Sequence, residues 1–248
     1  MRTDMATEYP VKTTSTSFQL VDALFELGGA GISELADHLC LSKSAVHKHL
    51  HTLEELGYII EEDDVFYPGL RFLERGVQSQ SRHPLYSAAQ QEVNNLASTT
   101  GEWVGLATEE RNRGVYLITA NGSHERGPDV QEGRRFALHE TAPGKAILAH
   151  APRESRETLL EATGVDLTTE LEAELRTIQD RQLVYGSHHE NEQARCVAAS
   201  ITNPDETVIG SVCVVGSKDR LSGKRLKEDI SGLVLSTART IGNSITNR

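Results

Sequence analysis

The stretch from Ile32 to Phe72 constrains this chain more than any other. Ile32-Ser33-Glu34-Leu35-Ala36-Asp37-His38-Leu39 has the apolar spacing of a short helix, and Cys40-Leu41 is a joint with room only for a tight turn. Ser42 to Gly57 has the spacing of a second helix, with Val46, Leu50, Leu53 and Leu56 recurring every three or four residues. Two short helices about such a turn are the sequence form of a helix-turn-helix, whose second helix enters the DNA major groove. Ser33 and Ser42 are N-caps by residue type, and Gly57 suits the position just past a helix end. Lys43, Ser44, His47, Lys48 and His51 fall opposite the apolar stripe, a donor-rich face suited to phosphates and base edges. Tyr58-Ile59-Ile60 and Val65-Phe66-Tyr67, joined by Glu61-Glu62-Asp63-Asp64, read as a hairpin wing.

Charge runs against that reading and refines it. The 248-residue chain holds 25 basic and 36 acidic residues, a formal charge of -11. Between Ser17 and Gln80 stand four basic residues (Lys43, Lys48, Arg71, Arg75) and eleven acidic ones, so -7 of that charge belongs to the expected DNA-binding segment. Affinity for DNA comes largely from basic groups displacing condensed counterions. Binding therefore depends on focusing the few cations on one face, as Lys43 to Thr52 does. Surface acidity of this kind also fits a salt-loaded cytoplasm, where repulsion is screened within about 3 Å at 1 M ionic strength.

The rest of the chain is long enough for a second domain. Residues 1–16 read as a flexible arm, 17–80 as a winged helix-turn-helix, and 81–248 as a linker helix with a second domain. A first helix is expected over Phe18 to Leu27, with Phe18, Val21, Leu24 and Phe25 on its packed face. A boundary is expected in the polar run Gln78 to His83, followed by a helix from Pro84 to Thr100. Strands are expected at Trp103–Thr108, Val115–Ala120, Arg134–Leu138, Leu183–Tyr185, Cys196–Thr202 and Val208–Val215, with a flexible loop over Ser123 to Gly133. Helices are expected from Pro143 to His150, Glu154 to Ala162, Glu170 to Gln182, and over a long final stretch marked by Leu226 to Ile245. The fold class is α+β, an antiparallel sheet covered by helices. Three scattered cysteines (Cys40, Cys196, Cys213) imply neither a disulfide framework nor a zinc module. No run approaches the roughly 18 apolar residues that span a membrane, and Met1 to Ser17 has no signal-peptide pattern, so a reduced cytoplasmic protein is expected.

Three blocks in order resemble the IclR family of bacterial and archaeal transcription regulators. They are Ser33-Glu34-Leu35-Ala36 with Leu41 to His47 and Leu53 to Tyr58; Leu138-His139-Glu140-Thr141-Ala142-Pro143-Gly144-Lys145-Ala146; and Arg195-Cys196-Val197-Ala198-Ala199 with Val208 to Gly216. The resemblance implies a winged helix, a linker helix and a GAF-like effector domain, acting as homodimers or dimers of dimers on operator DNA. It places Ser42, Lys43, Ser44, Ala45, His47, Lys48 and His51 at the DNA. It lines an effector pocket with Phe136, Ala142, Pro143, Gly144, Cys196, Cys213 and Val215. Ala45 stands where the family usually has Thr, which implies a different operator preference. Glu190 to Arg195 lacks the family's Gly two residues before the Arg. Family hydroxyls are replaced at Cys213 and Val215, which implies a less hydrophilic effector than a small keto acid. A turn opening a helix at Pro143-Gly144 also offers backbone N–H groups to an effector carboxylate.

Other motifs carry less. Ala142 to Ala146 lacks the first Gly and the Ser/Thr of a phosphate loop. His188-His189-Glu190 has no partner spacing that completes a metal site, and the alternation of His47, His49 and His51 places those rings on different sides. No nucleophile motif points to an enzyme, and neither a cofactor nor a resident metal is expected. Three readings stay open: a regulator responding to a small organic ligand, a regulator sensing oxidants through Cys196 and Cys213, and a metabolite-binding or enzymatic protein whose winged helix binds protein.

Overall fold

The computed structural model describes residues 9–124, 128–188 and 191–245. Cα packing divides the chain into Met1–Ser79 and Gln80–Arg248.

The first unit holds α1 (Lys12–Leu27), α2 (Ile32–His38), α3 (Lys43–Glu55), β1 (Ile59–Glu62), β2 (Val65–Pro68) and most of α4 (Arg71–Arg82). Leu20, Leu24, Leu35, Val46, Leu50, Ile59 and Phe66 close its core. The ends of α3 are set by local chemistry. Ser42 Oγ accepts from the Ala45 N–H at 3.2 Å. At the other end Gly57 takes φ 74°, Tyr58 N donates to Leu53 O and Gly57 N to Glu54 O, the paired bonds of a Schellman stop. Asp63 and Asp64, at φ 51° and 63°, make the two-residue turn whose twist suits a hairpin. Ala30 bridges to Phe66 as a third, one-residue strand.

Four expectations for this unit are corrected. The first helix begins at Lys12, inside the expected arm. It packs through Leu20, Val21, Ala23 and Leu24, leaving Phe18 and Phe25 59% and 58% exposed. The cap of α2 is Gly31 with no side-chain bond, not Ser33. Leu56 is half exposed because it is the C-cap residue of α3, where the chain leaves the helix ahead of Gly57. The division between the units at Ser79 and Gln80 falls inside the expected boundary run, which α4 crosses as helix.

In the second unit β3 (Trp103–Glu110), β4 (Arg113–Ala120), β5 (Arg135–Phe136), β6 (Val184–His188), β7 (Asn191–Thr202) and β8 (Val208–Ser217) form one antiparallel sheet in the order β5-β4-β3-β8-β7-β6. One face packs under α5 (Pro84–Thr100) and α9 (Ser231–Ser244) through Val104, Leu106, Val197, Ala199, Val212 and Val214. The other is covered by α6 (Ala142–His150), α7 (Arg153–Glu161) and α8 (Thr169–Arg181). A bulge at Leu106/Ala107 lets Tyr116 face one layer while Leu117 and Ile118 join the other. The expected final helix opens with a π-helical segment, Arg225–Ile230, where Ser231 Oγ donates to Leu226 O at 2.7 Å.

The carboxylate of Glu102, 2% exposed, anchors the start of β3. Arg220 reaches it at 2.9 and 3.0 Å and Arg225 at 3.3 Å. Nothing in the local sequence announced that pairing, whose partners lie more than a hundred residues apart.

Candidate nucleic-acid interface and effector pocket

On α3, Lys43, Ser44, His47, Lys48 and His51 are all exposed, with Ala45 half-buried among them and Val46 and Leu50 fully buried behind. The face is therefore assembled by one helix, capped at Ser42. Two of the unit's other cations, both arginines, are committed elsewhere. Arg71 donates to the Leu56 carbonyl and lies over the Tyr58 ring at 5.0 Å. Arg75 sits 3.6 Å from Glu74 and donates to Gln78 at 2.9 Å. Lys43 and Lys48, with no such commitment, are the permanent positive charges of α3, while the exposed Lys12 stands at the start of α1.

The seven residues expected around an effector meet on the sheet face beneath α6. Phe136, Ala142, Cys196, Cys213 and Val215 belong to one buried cluster, and Pro143 and Gly144 are buried in the first turn of α6. Gly144 is there of necessity: a Cβ would lie 2.2 Å from the Leu138 carbonyl oxygen. Two aromatic residues absent from the expected set complete the cluster. The Tyr116 ring stands 5.7 Å from Trp103 and 4.8 Å from Phe136. Gly105 makes room for them, since a Cβ there would come within 2.5 Å of Trp103 and 2.9 Å of Tyr116. The alternation of β4 could have signalled Tyr116; the bulge that orients it could not be read.

Strand register sets the geometry of the cysteine pair. Cys196 is opposite Val215, and Cys213 opposite Ala198, so the two are offset by two residues rather than facing. An even offset keeps both on one face. The Cys213 side chain, hydrogen-bonded to Cys196, and then burial push the Cys196 thiol well above its usual pKa. Tyr116 is also raised, by burial first and then by the Cys213 and Cys196 thiols. Both cysteines are shut from solvent. Oxidant sensing needs an accessible thiolate, so the thiol-sensor reading finds no support here. Arg195 points away from this face, donating to Leu221 O at 2.8 Å.

The donors expected at the start of α6 are largely used within the turn. Thr141 Oγ1 accepts from Gly144 N at 3.1 Å, Thr141 O accepts from Lys145 N at 2.8 Å, and Pro143 has no N–H. Only the Ala142 N–H remains for an acid group. A cleft of about 830 Å³ reaches Cys196 and Gly186 from the sheet edge, and Arg181, Arg195, Lys218 and Lys227 contribute to its lining. Sequence spacing missed these four cations because α8, β7, the segment after β8 and the π-helical segment each supply one. His189 and Glu190 lie outside the described residues.

Comparison with known proteins gives two family matches. Residues 16–63 match the IclR helix-turn-helix domain, and residues 77–243 the bacterial transcriptional regulator IclR C-terminal domain. The chain is 27% identical over 246 residues to a Halobacterium salinarum protein named "Probable HTH-type transcriptional regulator ArcR", covering 94% of each. Among solved structures, the Thermotoga maritima IclR superposes with a TM-score of 0.75 at 24% identity, over 93% of this chain and 97% of that one. An IclR homologue from Microbacterium hydrocarbonoxydans, solved with 4-hydroxybenzoate, superposes with a TM-score of 0.75 at 18% identity, over 94% and 97%.

Proposed function

The chain belongs to the IclR family of transcription regulators, and from that premise we propose that α3 reads its operator while the cluster under α6 holds the small organic effector. The observation that carries the first half is the exposed face of Lys43, Ser44, His47, Lys48 and His51 against the buried Val46 and Leu50. Ser42 holds the start of that helix, and Ala45 supplies a methyl where a hydroxyl would read a different base edge.

The second half rests on the buried aromatic and sulfur surface of Phe136, Cys196, Cys213 and Val215, with Ala142, Pro143 and Gly144 closing it. Such a surface favours an apolar body over a small hydrophilic acid. An anionic end, where the effector has one, would lie toward Arg181 and Lys218 in the cleft rather than on the turn of α6. Exposed Val11 at the N-cap of α1, Phe18 and Phe25 on α1, and Leu73 and Val77 on α4 support self-association as a homodimer. Operator half-sites roughly 34 Å apart tolerate little change in spacing. An effector preferring one spacing by about 1–3 kcal/mol then controls DNA occupancy.

Salt dependence tests the DNA half. Operator fragments recovered from genomic DNA by the purified chain are titrated at rising KCl. Two lysines on α3 predict a shallow slope, of fewer than about four phosphate contacts per chain, with binding persisting toward molar salt. A steep loss by a few hundred millimolar contradicts both the two-lysine interface and the salt-adapted reading.

A further inference from the structure

His47 and His51 do not point apart, as their alternation with His49 implied. Four residues bring a helix back to the same side, and their rings stack with centroids 6.4 Å apart and planes inclined by 25°. His49 alone turns inward, its Nδ1 2.8 Å from Ser17 Oγ. Among the described residues neither His47 nor His51 makes a side-chain hydrogen bond or ion pair, and both are exposed.

Two imidazoles at i and i+4 on one helix face are the spacing by which helices hold zinc. Imidazole suits zinc, copper and nickel, and affinity among them follows their usual order. Glu55, exposed one turn beyond His51, and the acidic balance of the unit favour a dication at this face. No group of three His, Cys, Asp or Glu ligands exists among the described residues, so protein supplies two ligands and water the remainder.

We propose that His47 and His51 form a bidentate site for a late first-row divalent cation, Zn²⁺, Ni²⁺ or Cu²⁺, and that an occupied site and a DNA-bound α3 exclude one another. The exclusion is steric and rests on the assignment of α3 to the operator. Side chains read base edges at hydrogen-bond distance, and a hydrated ion held between the two rings keeps the helix from that approach.

The test uses the full chain with Cys40→Ser throughout, because the exposed Cys40 thiol is a competing ligand. Ni²⁺ binding is followed by calorimetry without DNA. His49→Gln should keep the Ni²⁺ equivalent of its parent, whereas His47→Gln and His51→Gln should each weaken it about 100-fold through loss of the second, tethered ligand. Both altered rings are exposed, so unchanged melting temperatures verify the fold. An equivalent retained in His51→Gln overturns the site, as does one lost only in His188→Gln/His189→Gln. The ratio of operator affinity with and without Ni²⁺, taken within each variant, should then fall in the parent and in His49→Gln, reversibly with chelator, and stay at one in His51→Gln whatever that substitution costs in metal-free binding. Metal that binds as stated yet leaves operator affinity unchanged overturns the exclusion, whereas operator affinity that survives Lys43→Ala/Lys48→Ala removes the assignment of α3 on which it rests.

Discussion

The two units carry their chemistry in opposite ways. In residues 9–79 the groups proposed to act stand on the surface of a single helix, placed by its period and by a capping serine. In residues 80–245 they are buried, and strands distant in sequence bring them together by register. The first arrangement depends on local bonds and on charge in solvent. The second depends on close approach: Gly144 against the Leu138 backbone, Gly105 beneath two aromatic rings, and Glu102 between two arginines. A change in the second unit should therefore cost more stability than an equivalent change in the first.

The largest effect expected on this view is at Glu102. Replacing it with Ala leaves Arg220 and Arg225 facing a buried gap, and breaking a buried pair costs about 3 kcal/mol, reduced to the extent that both arginines reach solvent. Thermal unfolding of Glu102→Ala should show a clear fall for the second unit alone. An unchanged melting temperature would mean the buried carboxylate is incidental to that fold.

Smaller is the effect of Ser42→Ala, which removes one N-cap bond from α3. The cost should be about 1 kcal/mol, confined to the winged helix and visible as faster amide exchange at Ala45. Equal loss in both units would break the comparison, since it would show that the two are not separately stabilised.

The smallest effect is one of pH. Burial, followed by the nearby Arg156 charge, lowers the pKa of His150 against the opposing bond to Ala146 O. The folded value lies below the ordinary one, so the unfolded chain takes the proton first. Stability is full above the ordinary value of 6.5 and falls as pH drops from there toward the folded value. His83, lowered mainly by burial as well, adds a slope of the same sign. Chemical denaturation at pH 7.5 and 5.5 should show wild type losing more than His150→Gln. Identical losses would remove His150 from the account.

The same contrast explains what could be read from the sequence. Lys43, His47 and His51 share a face because helical period and spacing decide it, and Ser42 and Gly57 mark the ends by chemistry that needs no distant partner. The strands from Trp103 to Val215 were recognisable by alternation, and three separated blocks carried the family resemblance. What stayed hidden was long-range. An offset of two residues between β7 and β8 decides whether Cys196 meets Cys213 or Val215, and neither strand's own sequence selects it. The bulge at Ala107, the arginines on Glu102 and the use of the Gly144 N–H by Thr141 likewise depend on partners in other elements. Even within α3, the stacking of His47 on His51 was missed by counting alternate residues instead of turns.

The central claim, that operator recognition lies on α3 and depends on two lysines, is tested most directly by operator affinity of Lys43→Ala/Lys48→Ala. Fluorescence anisotropy on a recovered operator fragment, at fixed salt, should show binding weakened at least tenfold, since each such contact is worth about 1–3 kcal/mol and Arg71 and Arg75 are committed elsewhere. Undiminished affinity in a double variant that still melts like wild type would place the DNA contact on another surface and contradict the account.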